Sequence, residues 1–462
     1  MKKLIVFFVF SVFGSSFSQN KQILYNFTSV PQSLLSNPGS DVKYNWFAGI
    51  PLLSGFSASA GSSSFSAFDL FANNGVDFNA KLRNVVFSTS RNDKVSINEQ
   101  LEIFSGGFKL GDWQSSSYIS FGMYQELDVL TYMPKDYAIL ALDGNKDYLG
   151  KVFDLGDLNA RGEVLSVFHL GYHKKVNERL ILGARGKIYS SIFNVSSTKN
   201  SGYFYTIEGT NSTYNQVISA NGLVNSSGLT NYIDNYSGNA KSDIIKKSLL
   251  GGNLGLGLDL GLTYYPKENL QFTASLIDIG FISHTKEIKS YRYKGYYNYV
   301  GLTPDFILGN ANDLLTEFKN AIPLDTLHTK YTTWRPVKFN SSIQYSFGDG
   351  RNSECYCDAT GVKYKNALGA QLFVMSTPRI PLMALTAFYK RHIFNSLEMK
   401  ATYTVDSFSA KNIGLGLSTT LAKVNFYILA DNLLEYKDIS KANSLSFQLG
   451  FNIIFPDKNT PD

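Results

Sequence analysis

Leu254-Gly255-Leu256-Gly257-Leu258-Asp259-Leu260-Gly261-Leu262-Thr263-Tyr264 decides the architecture. Leucine takes every second position, and glycine, aspartate or threonine takes the positions between. A period of two is that of an extended strand whose faces meet different surroundings. One face here is wholly apolar, and the other admits a carboxylate. The chain then turns at residues 266–268 and returns with Leu270, Phe272, Ala274 and Leu276 on one face and Gln271, Thr273 and Ser275 on the other.

The same alternation spreads outward from this hairpin. Leu180, Leu182, Ala184 and Ile188 alternate with Arg185 and Lys187. Val337, Phe339, Ile343, Tyr345 and Phe347 alternate with Lys338, Asn340, Ser342, Gln344 and Ser346. Leu397, Met399, Ala401, Tyr403 and Val405 alternate with Glu398, Lys400, Thr402, Thr404 and Asp406. The chain closes with Leu445, Phe447, Leu449, Phe451, Ile453 and Phe455 against Ser446, Gln448, Gly450 and Asn452. Many of these segments run to roughly 10–13 residues, whereas a soluble strand is about 5–6 and a tilted membrane strand about 9–11. Length and alternation together predict an all-β protein: a transmembrane antiparallel β-barrel with lipid on the apolar face and a polar lumen. Soluble sandwiches and solenoids alternate too, but with shorter strands.

Fourteen strands are predicted, at 47–60, 96–108, 115–127, 163–173, 179–193, 251–265, 269–282, 336–347, 365–376, 380–392, 396–407, 410–421, 423–432 and 443–455. An even count places both ends of the barrel on one side. Connections after even-numbered strands are short, except 348–364. The four longest segments, 61–95, 128–162, 194–250 and 283–335, all follow odd-numbered strands, so they share one face and are expected to be extracellular. They are polar and tyrosine-rich, as in Asn211-Ser212-Thr213-Tyr214-Asn215, and are expected to be loops, with a short helix within 303–321 capped at Thr303-Pro304-Asp305. Loops this long usually carry function.

Composition agrees. Of 462 residues, 44% are hydrophobic, 17% charged and 14% aromatic, which is too apolar for disorder, and no run after residue 20 reaches the ~20 apolar residues of a spanning helix. Residues 1–18 read as a secretory signal: Lys2 and Lys3, the apolar core Leu4 to Phe13, then Ser16-Phe17-Ser18, with cleavage expected before Gln19. No cysteine follows the core, which argues against a lipoprotein. Losing Lys2 and Lys3 lowers the formal charge from +6 to +4. No basic block points to nucleic acid. Residues 19–46 are expected either to fill the lumen or its periplasmic mouth or to hang as a periplasmic tail, and residues 456–462 to form a short tail.

No catalytic pattern is present, and no cofactor is implied; an enzyme is not expected. Cys355 and Cys357 fall in the one long periplasmic turn, where a disulfide, free thiols or a metal site stay open. His169 and His173 have a helical metal spacing, but four residues of strand span about 13 Å, too far to share an ion. Arg185, Lys187, Asp259, Glu398, Lys400, Asp406 and Asp431 lie on the polar face and are the expected lumen charges.

Ser36-Asn37-Pro38-Gly39 resembles the Asn-Pro-Ala-Gly element near the start of fatty-acid-transporter-like barrels, with Gly39 in place of alanine. Gly257–Tyr264, Ser275–Ile282 (Ser-Leu-Ile-Asp-Ile-Gly-Phe-Ile) and Phe426–Leu433 (Phe-Tyr-Ile-Leu-Ala-Asp-Asn-Leu) resemble an uncharacterised Bacteroidota outer-membrane family similar in architecture to type IX secretion barrels. The resemblance implies a 14-stranded barrel in the outer membrane of a Gram-negative bacterium and membership of an envelope complex. It carries over no catalytic residue. The expected role is a non-enzymatic accessory or scaffold subunit, in type IX secretion, gliding or barrel assembly, meeting lipid through its wall and partner proteins through its long loops. The alternative is a transporter of hydrophobic small molecules.

Overall fold

The computed structural model describes residues 22–42, 44–111, 117–209, 214–229, 238–300, 311–349, 364–394 and 396–456. Fourteen antiparallel strands close a barrel. They are β1 (Tyr44–Gly49 and Phe56–Ser62), β2 (Lys94–Leu110), β3 (Ser117–Tyr132), β4 (Ala160–Asn177), β5 (Leu180–Ser197), β6 (Asn253–Lys267) and β7 (Leu270–His284). β8 (Tyr331–Trp334 and Lys338–Asp349), β9 (Tyr364–Met375), β10 (Leu382–Phe394), β11 (Leu397–Asp406), β12 (Asn412–Leu421), β13 (Val424–Asp431) and β14 (Ser444–Pro456) complete it. Each strand pairs with the next. β14 returns to both halves of β1, with Ala48 opposite Ile453 and Ala58 opposite Phe447, so the ladder has no edge.

The two faces separate as alternation requires. On β6, Leu256 stands opposite Ile188 and Leu262 opposite Leu182, making outward apolar rows, while Asp259 and Thr263 are buried inside. Leu256 and Leu385 are 59% and 60% exposed, which is the state of a side chain whose solvent is hydrocarbon. Aromatic side chains collar the short-turn end: Trp46 stacks on Phe455 with ring centroids 3.6 Å apart, and Tyr345 stacks on Phe347. Tryptophan and tyrosine suit the level where hydrocarbon gives way to headgroups.

Three expectations are corrected. β1 is not one strand over 47–60. Pro51 has no N–H for the ladder and Leu52 sits at φ +64°, so residues 50–55 leave it. The gap is closed from both sides, by Leu52 N–H to Ile103 O and Phe451 N–H to Leu53 O. Secondly, β2 to β5 outrun their expected ends, reaching 16–18 residues each. Thirdly, the long segments are not irregular loops; they fold into a cap. Val152–Asp154, Ser201–Ile207, Asn215–Ser227, Ser290–Tyr299 and Leu324–Leu327 form a five-stranded antiparallel sheet that grows out of β5, with Ser196 opposite Asn225.

Helices complete the cap. Val86, Ile139 and Phe153 form a small core of their own, joining Phe78–Ser88, Lys135–Asp143 and the sheet. The helix expected within 303–321 appears as Ala311–Ala321, and its expected cap at 303–305 lies outside the described residues. Asp157 anchors the cap, bonded to Arg91 at 3.1 Å and close to Arg379 at 3.5 Å. Burial pulls its carboxyl up from the ordinary range, against the two guanidinium groups that draw it down.

Candidate functional site

Residues 22–42 occupy the lumen as a plug of turns and one short helix, α1 (Ser33–Ser36). Ile23, Leu24, Phe27 and Val30 pack on Tyr427 and Leu429 of β13. A segment without regular structure needs outside partners for its backbone. The wall supplies them. Lys400 Nζ donates to Tyr25 O at 2.7 Å and Ile23 O at 3.1 Å, Lys390 to Asn26 O at 3.0 Å, and Gln371 to Gln22 O at 2.6 Å. Arg185 Nη1 and Nη2 donate to Leu34 O and Leu35 O at 2.8 and 2.6 Å. Plug side chains answer: Asn26 donates to Gln271 and Gln344, and Gln32 to Glu102 and Asn452.

The Asn37-Pro38-Gly39 element lies flat on two wall glycines. Gly261 and Gly183 are neighbours across β6 and β5. A Cβ at Gly183 would stand 2.2 Å from Pro38 O, and one at Gly39 2.6 Å from the Gly261 carbonyl. Glycine at 39, where the resembling element has alanine, follows from this backbone-to-backbone approach. Gly183→Val is expected to lift residues 37–39 off the wall and break the Thr263 Oγ1 to Gly39 O bond (2.8 Å). Limited proteolysis of the folded protein checks it: a new cut near residue 40 is expected in the variant alone.

Above the plug sits a closed ion network. Asp259 accepts from Arg185 at 2.5 Å and Lys187 at 2.9 Å; Asp278 accepts from Lys187 at 2.5 Å and Lys338 at 2.9 Å. Arg335 then joins Glu126 at 3.0 Å to Glu163 at 3.3 Å, and Arg161 meets Asp128. Sequence reading grouped Arg185, Lys187 and Asp259, and missed Asp278, Glu126, Arg335, Lys338 and Glu163 as site residues. Strict alternation from Leu270 assigns Asp278 to the lipid face. The structure turns it in through a bulge: Asp278 has φ +63°, and the pairing jumps from Leu260↔Leu276 to Leu258↔Ile279. One extra residue on a strand re-aims a side chain. Asp259 fastens the bulge by accepting from Asp278 N–H at 2.6 Å. An aspartate in a lipid-facing series was the available signal.

A cleft with about 1140 Å³ of free space, open solvent included, lies above the plug, which floors it with Gln22, Leu35 and Ser36. Its walls differ. Phe373, Met375, Leu382, Ala384 and Phe408 form an apolar cluster on one side. Glu126, Asp128, Lys187, Asp278 and Lys338 stand on the other. Such a chamber can hold an elongated apolar molecule and set polar groups at its flank.

The remaining expected charges lie apart from this network. Glu398 is near His392, with Oε1 3.6 Å from Nε2. Asp431 accepts from Ser446 Oγ at 2.6 Å. Asp406 lines the cavity rim and accepts from Phe408 and Ser409 N–H. His169 and His173 face different neighbours, Tyr124 and Tyr118 respectively. Cys355 and Cys357 lie outside the described residues. Among the described residues no trio of His, Cys, Asp and Glu is placed to hold a metal ion.

Solved structures similar to this one include the P. putida toluene transporter TodX, at 9% identity, 96% coverage of each chain and a TM-score of 0.38. A Pseudomonas aeruginosa FadL homologue matches at 10% identity, 96% of this chain and 95% of that one, with a TM-score of 0.42. The translocator domain of the autotransporter NalP from Neisseria meningitidis matches at 8% identity, 94% of this chain and 100% of that one, with a TM-score of 0.33. No curated protein matches the sequence. The model of DUF5723, a family of unknown function, matches residues 38–431, and the chain, an outer-membrane-type β-barrel, belongs to that family.

Proposed function

We propose that this barrel carries a hydrophobic small molecule across the outer membrane, taking it from the cap side into the chamber above the plug. The observation that carries the reading is the two-sided cavity, with Phe373, Met375, Leu382, Ala384 and Phe408 gathered on one side and Glu126, Asp128, Lys187, Asp278 and Lys338 on the other. These side chains are buried mainly against one another and Phe408, and the edge they turn to the cavity is the apolar surface a hydrophobic molecule would meet. The plug that floors the chamber is held by hydrogen bonds from the wall and by Ile23, Leu24, Phe27 and Val30 packed on Tyr427 and Leu429, so displacing it is the costly step of passage.

Binding of radiolabelled dodecanol to the protein in amphipol tests the reading. Saturable binding is expected. Phe373→Asp with Leu382→Asp removes apolar contact worth about 1.5–3 kcal/mol per side chain, so affinity should fall by about tenfold or more. Heat-resistant migration on gels checks that the variant wall is folded before binding is compared. Unsaturable uptake, or equal uptake by both proteins, would count against transport.

The cap favours a second reading, an accessory subunit of an envelope complex. Its sheet presents Tyr203 and Tyr296 to solvent, and exposed tyrosine is a frequent anchor of protein interfaces. Purification at native level in mild detergent discriminates: stoichiometric companions support the subunit, and a solitary barrel supports the transporter.

A further inference from the structure

The outer face of the barrel is not bare at the cap-side ends of β1 and β14. Ala60 and Leu445 stand opposite each other in outward register, continuing the row of Ala58 and Phe447. The two residues are 1% and 8% exposed, while Ala58 and Phe447 next to them are only part-buried. The same strand ends carry a small helical unit. After β1 come the helices α2 (Ala67–Phe71) and α3 (Phe78–Ser88); before β14 comes the 3₁₀ segment Leu433–Lys441, which packs against α2. That segment is strapped to β14: Tyr436 Oη donates to Ser446 O at 2.9 Å, and Glu435 accepts from Asn443 N–H at 2.7 Å.

The exposed side chains of this shelf include large apolar ones, beside Asp69, Asn73, Asn74, Asp77, Lys437 and Asp438. Phe71 is 72% exposed and Leu434 62%, with Val76, Phe78 and Ile439 also open. Phe71 and Phe78 stack on each other with centroids 6.2 Å apart, so the two rings form one surface. Lys441 Nζ lies 4.7 Å from the Phe68 ring centre, placing a cation at the margin of the patch. Further along α3, Val85 and Val86 are buried, Val86 in the small core of the cap. An apolar surface next to a hydrocarbon-facing wall, edged by lysine, has the character of an interfacial membrane anchor.

We propose that residues 67–78 and 433–441 form a shelf that inserts into the outer-leaflet side of the bilayer and holds the cap at a fixed height beside β1 and β14. The occupant is lipid, because the patch continues the lipid-facing wall. The shelf is independent of the transport reading.

Spin-label accessibility tests it on the full chain in vesicles of phosphatidylcholine and phosphatidylglycerol. Labels are placed one at a time at Phe71→Cys and Phe78→Cys, with Cys355→Ser and Cys357→Ser as background. Val424→Cys, on the outward face of β13, serves as the lipid reference. The shelf labels should collide more with oxygen than with a water-soluble nickel chelate, as the reference label does, and the order should reverse for a label at Tyr296→Cys in the cap. Preference for the nickel chelate at both shelf positions overturns the proposal. So does protection from both reagents, which would mean a second copy or another protein on the patch and would show as a larger species in gel filtration. Heat-resistant migration on gels confirms that each labelled barrel is folded.

Discussion

Asp259→Ala is expected to destabilise the barrel by about 3–5 kcal/mol. Its carboxylate serves three donors at once: Arg185, Lys187 and the bulged Asp278 N–H. Removing it leaves buried Arg185 with only the carbonyls of Leu34 and Leu35, leaves Lys187 to share Asp278 with Lys338, and frees the bulge that points Asp278 inward. A buried charge stripped of its partner cannot recover its hydration, so the loss exceeds what the pair itself contributed. Arg185→Leu combined with Asp259→Ala removes charge of both signs, and should cost less than the sum of the single changes, with a coupling of about 0.5–3 kcal/mol. Urea titration of the folded protein in phospholipid vesicles measures all four corners. Additive effects would show that the network is loose and wet, and that Asp259 is one lumen carboxylate among many.

The same residue shows how far sequence carries. Asp259 was identifiable because it interrupts a face of glycines directly opposite five leucines, and period two is a property of the backbone that no tertiary contact changes. All fourteen strands were legible for that reason. Asp278 was not, since a bulge shifts the period by one and only its three-dimensional partner shows which residue is extra. The break in β1 had a local sign in Pro51, weak beside the alternation on either side of it. The cap was illegible for another reason. Tyr291, Tyr293 and the residues between them do alternate, but lysine, arginine and asparagine share the pattern, and polar composition outweighed period. Its small core at Val86, Ile139 and Phe153 comes from three separate segments, so no window of sequence contains it. The cavity had the least signal of all: Phe373, Met375, Leu382 and Ala384 come from two strands and Phe408 from a turn, and their inward direction is set by register.

Deleting residues 22–42 is expected to turn a closed barrel into a conducting one, the largest functional change open to a single alteration. Barrels of about 8 strands fill themselves with side chains, and those of about 16 hold an aqueous channel. Fourteen strands lie nearer the second, so closure must come from the plug. The plug is well held. Ile23, Leu24, Phe27 and Val30 each bury a side chain worth about 1.5–3 kcal/mol, and Lys400, fully buried, donates to carbonyls at Ile23 and Tyr25. Lys400→Met should therefore loosen the segment without expelling it, leaving carbonyls unpaired at about 1–3 kcal/mol each. The full deletion should leave the wall standing, because Lys390, Lys400 and Arg185 would then face water and not hydrocarbon. Planar-bilayer recording is the check, with rare brief openings for Lys400→Met and steady conductance for the deletion. If the intact protein conducts as well as the deleted one, the plug is not the barrier. The chamber above it would then be the mouth of an open pore, and the apolar cluster at Phe373 would lose its reason to be a binding wall.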